Sequence, residues 1–136
     1  MTGSDFIELI RVPQLTDRAP YAYAAVASDV RRLVFTAGAC PLDEQGETVA
    51  VGDVAGQAEQ VMANLRTALA AAGADLIDVV KTTVYVASPN RDDLVTAWEV
   101  VSRHFGAHAV PSTLLGVAVL GYRDQLVEVE AVAALR

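Results

Sequence analysis

The sequence predicts an α+β fold, with two helices on one face of a mixed sheet in the order β-β-β-α-β-α-β-β. Three observations predict it. Two segments repeat apolar residues at helical spacing. Several short segments are rich in β-branched residues and are bounded by Gly, Pro, Ser and Asp. The chain is 136 residues long, the size of one domain, which is taken to span residues 1–136.

Residues 6–12 read as the first strand. Residues 21–27 and 33–37 read as two more, joined by the polar turn Ser28-Asp29-Val30-Arg31. Leu42-Asp43-Glu44-Gln45-Gly46 is turn chemistry, with Gly46 free to take positive φ. Asp53 offers a helix N-cap. Ala58, Val61, Met62, Leu65, Leu69 and Ala72 then form one apolar stripe, and Gly73 ends the helix. Residues 79–87 are a strand, broken by Ser88-Pro89-Asn90. Leu94, Ala97, Trp98, Val101 and Phe105 mark a second helix, which Gly106 stops. Residues 113–120 are a strand, Gly121-Tyr122-Arg123-Asp124 a turn, and residues 125–134 the last strand.

The composition carries a second message. The chain is 53% hydrophobic but only 6% aromatic, and Ala and Val supply most of the apolar positions. Small side chains bury little area each, so the surplus needs a second surface to cover it. The sheet face opposite the helices is that surface, and it is expected to be an interface between copies of the chain.

Other classes are excluded. Disordered chains are poor in apolar residues. Cys40 is the only cysteine, so no disulfide forms within the chain. A net charge of −7 opposes binding to nucleic acid or to an anionic membrane. The N-terminus lacks a basic region followed by an apolar core, and no apolar run reaches the roughly 18 residues of a spanning helix. A cytoplasmic location is expected, where a free thiol is ordinary.

Few residues carry obvious chemistry. Cys40, in Gly38-Ala39-Cys40-Pro41, has no histidine beside it in sequence and reads as a small buried hydrophobe rather than a nucleophile. His104 and His108 are four apart, a zinc-binding spacing on one helix. Gly106 falls between them, so they read as exposed loop histidines, and no metal is expected. Glu128 and Glu130 alternate with Val127, Val129 and Ala131, which puts both carboxylates on the face away from the helices. There they meet either solvent or the interface, where a half-buried carboxylate could handle a water. Tyr21 and Tyr23 alternate at the head of a strand, where packing is the ordinary role. Gly38 lets a backbone N–H approach a ligand.

These residues, taken in order, resemble the RidA/YjgF family of reactive-intermediate deaminases. The resemblance rests on Ala19-Pro20-Tyr21, on Leu33-Val34-Phe35-Thr36-Ala37-Gly38, and on Asn64-Leu65 and Ala71-Ala72-Gly73 in the first helix. It extends through residues 78–86 and 127–133. It implies a chorismate-mutase-like fold and a homotrimer with small-molecule clefts between subunits. Members of the family hydrolyse enamines or imines such as 2-aminoacrylate without a cofactor. In them an arginine holds the substrate carboxylate, a glutamate positions water, and a tyrosine and a serine or backbone amide complete the pocket.

Carried over residue by residue, Tyr21 matches the tyrosine, Glu128 the water-positioning glutamate and Gly38 the cleft glycine. Ala37 stands where serine is common. Thr113 replaces the arginine, Leu115 a frequent cysteine, and Trp98 a second-helix asparagine. Losing a charge-assisted pair costs roughly 2–4 kcal/mol, or about 30- to 1,000-fold. An anionic 2-imino acid therefore fits only if Arg18 or Arg123 reaches the cleft. The reading favoured on these grounds is a trimer that binds a small, less charged metabolite. The alternative is an imine or enamine hydrolase using Glu128 and Tyr21. An RNA-cleaving role gains no support from an acidic chain without a basic-aromatic patch.

Overall fold

The computed structural model describes residues 5–136. Its elements are β1 (Ile7–Ile10), β2 (Ala24–Ala27), β3 (Arg32–Phe35), α1 (Val54–Ala71), β4 (Val79–Val86), α2 (Arg91–Phe105), β5 (Ser112–Gly116) and β6 (Val127–Leu135). This is the predicted order, with a short 3-10 turn, Leu76–Asp78, added before β4.

The helices start and stop where the sequence places caps. The Asp53 carboxylate accepts from the Gly56 N–H at 3.0 Å. Gly73 takes φ +84, while the Ala74 N–H reaches the Leu69 carbonyl, which closes the last turn. Asn90 caps α2, with Asp92 and Asp93 in the first turn and Arg103 and His104 in the last, as the helix dipole favours. Gly106 ends it at φ +57.

Hydrogen bonding divides the strands into two sheets. β1 pairs only with β2, antiparallel. The other four run β3-β6-β4-β5. β6 is antiparallel to both neighbours, and β4 and β5 are parallel through the α2 crossover. Three predicted bounds differ. Tyr21 and Tyr23 precede β2, because the intervening Ala22 N–H is taken by the Ala109 carbonyl. β5 ends at Gly116 rather than at residue 120. β6 begins at Val127, because Gln125 closes a turn with Tyr122 through both backbone and side chain.

Both helices pack on one face of the larger sheet. Val61, Met62, Leu65 and Leu69 of α1 and Ala97 and Val101 of α2 meet Val84, Val86, Val127 and Val129 in one buried core. The opposite face holds Glu128, Glu130 and Val132 of β6, Lys81, Thr83 and Tyr85 of β4, and Thr113 and Leu115 of β5. It carries no helix among the described residues. Phe35 is 70% exposed, Leu33 56% and Leu115 43%, so the apolar surplus of the sequence does surface here.

A β-bulge sets the register of this face. Val79 pairs with Ala133, but Lys81 pairs with Val132, so Val80 is an extra residue in β4. Simple alternation from the buried Val79 would turn Lys81 toward the core. The bulge turns it to the bare face instead.

Candidate functional site

Glu128 is held from the outset by its neighbours. One carboxylate oxygen, Oε1, accepts from Gln125 Nε2 at 3.0 Å and from the Cys40 thiol at 3.3 Å. The other, Oε2, has no protein donor among the described residues and lies over Gly38. A Cβ built at Gly38 would stand 2.8 Å from the Glu128 Cγ and closer still to the carboxylate. Only glycine leaves that carboxylate in place. Gly38 and Cys40 also line a shallow groove of about 750 Å³ with Asn64 and Tyr122.

The support behind Glu128 is polar and buried. Gln57 is fully buried. It accepts from the Leu126 N–H at 2.7 Å and donates to the Asp124 carbonyl at 2.9 Å. It thus pins the loop that delivers Gln125 and Glu128. Asn64 donates to the Cys40 and Leu42 carbonyls and fixes the strand end that carries Cys40. Burial, and then the hydrogen bond and charge of Glu128, push the Cys40 thiol up to about 11. Cys40 is therefore a neutral thiol donor at physiological pH, not a nucleophile.

A second cluster lies at the free edge of β5. Pro20, Tyr21, Trp98, Ser112, Thr113 and Leu114 line a cavity of about 540 Å³. The Tyr21 ring meets Trp98 edge-on, with centroids 6.1 Å apart. Arg11 fixes the approach of Tyr21 by donating to the carbonyls of Ala19 and Tyr21 at 2.5 and 2.7 Å. Thr113 accepts from Lys81 Nζ at 2.7 Å.

Comparison with known proteins gives the family and the fold. Residues 14–135 match the model of the family described as Endoribonuclease L-PSP. A 2-iminobutanoate/2-iminopropanoate deaminase of Mus musculus is 35% identical over 127 residues, covering 92% of each chain. A RutC family protein of Pyrococcus horikoshii is 35% identical over 114 residues, 84% of this chain and 86% of the relative. A Rid family protein from Yersinia pestis, YyfB, superposes with a TM-score of 0.86 at 28% identity, covering 96% and 99% of the two chains. The chain belongs to the RidA/YjgF family.

In this RidA/YjgF protein the expected site residues fall into two groups within the chain. Gly38 and Glu128 are in contact. Tyr21, Trp98 and Thr113 share the edge cavity. Glu128 pairs with Tyr85, and Tyr85 with Leu115, so two strand spacings, roughly 10 Å, separate Glu128 from Leu115 on the same face. Ala37 is exposed and lines neither hollow. Neither Arg18 nor Arg123 lines the cavity at Thr113.

The histidine reading needs correction. His104 lies in the last turn of α2 against Glu59 at 2.6 Å, and His108 meets the Val79 carbonyl at 2.8 Å. Both are partly buried and partnered, and they point to different places. Cys40 also differs from the expected apolar filler, because its thiol holds Glu128. Gln125, Lys81 and Tyr85 were not singled out by the sequence of this RidA/YjgF chain. Their partners are remote in sequence, and the bulge at Val80 hides the face of Lys81 from any period-two count.

Proposed function

We propose that the protein is a homotrimer whose inter-subunit clefts hydrolyse a small imine or enamine, with Glu128 positioning the water. One observation carries this reading: Glu128 has one oxygen fixed by Gln125 and Cys40 and the other, seated over Gly38, without a protein donor among the described residues. A fixed carboxylate with one unengaged oxygen is suited to accept a proton from water. Water then adds to the C=N carbon. The proton taken by Glu128 passes to the nitrogen to give a carbinolamine, whose hydroxyl proton then moves to nitrogen as the C–N bond breaks, releasing ammonia and leaving a carbonyl compound. No metal or cofactor is needed for that balance. The deaminase relatives, 35% identical in the mouse case, support the same chemistry.

The trimer is part of the proposal. Within one subunit the Tyr21–Trp98–Thr113 cavity and the Gly38–Glu128 pair do not share one hollow. A neighbouring copy seated on the exposed Phe35 and Leu33 face would bring one subunit's edge cavity to another's glutamate. Soluble, non-membrane, cytoplasmic operation on a small molecule fits this reading. The ribonuclease wording of the matched family finds little support in a chain of net charge −7.

A second reading is binding without turnover. Thr113 and Leu115 favour it, because neither supplies the charge or acid chemistry of an arginine or a thiol. The deciding assay is hydrolysis of 2-aminoacrylate by wild type, Thr113→Arg and Glu128→Ala. Turnover in wild type that disappears in Glu128→Ala supports hydrolysis. Equal rates in wild type and Glu128→Ala, at the buffer rate, leave the binding reading.

A further inference from the structure

We infer that this protein holds a second ligand pocket, on the helix side of β5, which takes a neutral aromatic ring carrying one hydroxyl. The pocket is separate from the proposed cleft. It lies on the opposite face of the sheet from Glu128, and its occupancy needs no turnover.

The pocket follows from side-chain size. Thr82 of β4 and Ser112 of β5 are register partners. The Thr82 side chain is buried on the face where Val84 and Val86 meet the helices. Strand alternation puts Thr113, one residue on, and Glu128 on the other face. Above the Thr82–Ser112 pair, α2 presents Trp98, Val101 and Phe105 at helical spacing. Two short hydroxyl side chains do not fill the space beneath those larger groups, and a cavity of about 240 Å³ is left. Val110 adds a further apolar wall. An apolar cavity of about 150 Å³ is already enough to hold benzene.

The lining selects the ligand in three ways. No ionisable side chain lines the cavity, so a charged group would lose its hydration without gaining a partner. Trp98 and Phe105 offer aromatic surface, which favours a ring over an aliphatic body of equal area. The Thr82 hydroxyl donates to the Ser112 hydroxyl at 2.7 Å. Ser112 keeps its own proton, which has no protein acceptor among the described residues. A phenolic oxygen can accept that proton. The pocket shares Pro20, Trp98 and Ser112 with the edge cavity at Thr113, so any test must tell the two hollows apart.

Trp98 is the single tryptophan of the chain, and its emission reads occupancy directly. Phenol titrated into wild type, with excitation at the red edge of the indole band, should give a saturable change at about millimolar phenol, the range expected for so few heavy atoms. Benzenesulfonate, similar in shape but charged, should give none. Ser102 lines this pocket and not the edge cavity, so Ser102→Phe should fill it and abolish phenol binding by calorimetry. Thr113→Phe, which fills only the edge cavity, should leave phenol affinity unchanged. Ser112→Ala should weaken phenol about two- to tenfold, the worth of one neutral hydrogen bond, and leave toluene unchanged. Absence of a saturable response in wild type overturns the inference. Benzenesulfonate binding as tightly as phenol does the same, and neither comparison needs a variant to fold. Phenol affinity kept in a folded Ser102→Phe, or lost in Thr113→Phe, assigns the ligand to the edge cavity and also overturns it. Imine turnover, present or absent, bears only on the Glu128 reading.

Discussion

Cys40 Sγ stands 3.3 Å from Glu128 Oε1, across 88 positions of sequence. A small residue that pattern reading assigns to packing is thus a hydrogen-bond donor to the central carboxylate. Burial and Glu128 together raise the thiol from its ordinary 9.0 to about 11. Two units correspond to roughly a hundredfold less thiolate near neutral pH. Alkylation by iodoacetamide should therefore be slow, with a pH midpoint nearer 11 than 9.0. Glu128→Gln should move the midpoint down, because the negative charge beside the thiol is then gone. The linked stability has a definite sign. The folded state holds this proton more tightly, so the contribution is complete below pH 9.0 and is lost as pH rises through about 11. A midpoint of 9.0 in the folded protein would contradict the contact.

Gly38→Ala tests how closely Glu128 is seated. The new Cβ would lie 2.8 Å from the Glu128 Cγ, so the side chain must move. Overpacking of this kind costs about 1–3 kcal/mol. Any turnover should fall with it. The cost should shrink in Glu128→Ala, where the colliding atoms are gone, and denaturant melts of the two single variants and the double variant read that coupling. Additive costs would mean that Glu128 is not the obstacle.

Gln57→Leu addresses the support behind the site. The substitution leaves the Leu126 N–H and the Asp124 carbonyl without their 2.7 and 2.9 Å partners. An unsatisfied buried group costs about 1–3 kcal/mol, so a loss of about 2–4 kcal/mol is expected in urea unfolding. Glu128 sits three residues from Gln125 on the loop that Gln57 pins. The alkylation rate of Cys40 should therefore rise in the same variant, a readout that a purely global effect on stability would not move under native conditions.

Phe35→Glu examines the assembly. Phe35 is 70% exposed on the helix-free face, and an apolar ring at that exposure is suited to burial by another copy. Sedimentation of wild type should give a trimer at micromolar concentration, and Phe35→Glu should shift it to monomer while circular dichroism keeps the helical signal. A wild type that sediments as a monomer would remove the basis for a shared cleft.

Much of this was legible in the sequence, for local reasons. Asp53, Gly73 and Gly106 marked three of the four helix ends, because capping is satisfied within a few residues. The alternation in residues 127–132 placed Glu128 opposite the core, because a strand repeats every two residues. Family membership was legible in the same stretches. The apolar surplus with few aromatics pointed to an uncovered sheet face, and Leu33, Phe35 and Leu115 are exposed there.

Tertiary structure alone decided the rest. It paired β3 with the distant β6 rather than with β2 across the short Ser28–Arg31 turn, because strand partners are chosen by packing and not by adjacency. It brought Cys40 and Gln125 to the same oxygen of Glu128. One inserted residue, Val80, reversed the face of Lys81 and set its ammonium on Thr113. Periodicity is a property of neighbours in the chain, whereas register, bulges and long-range hydrogen bonds are properties of the packed sheet. The sequence therefore determined the frame and the glutamate, and the fold decided which groups hold that glutamate and which face Lys81 takes.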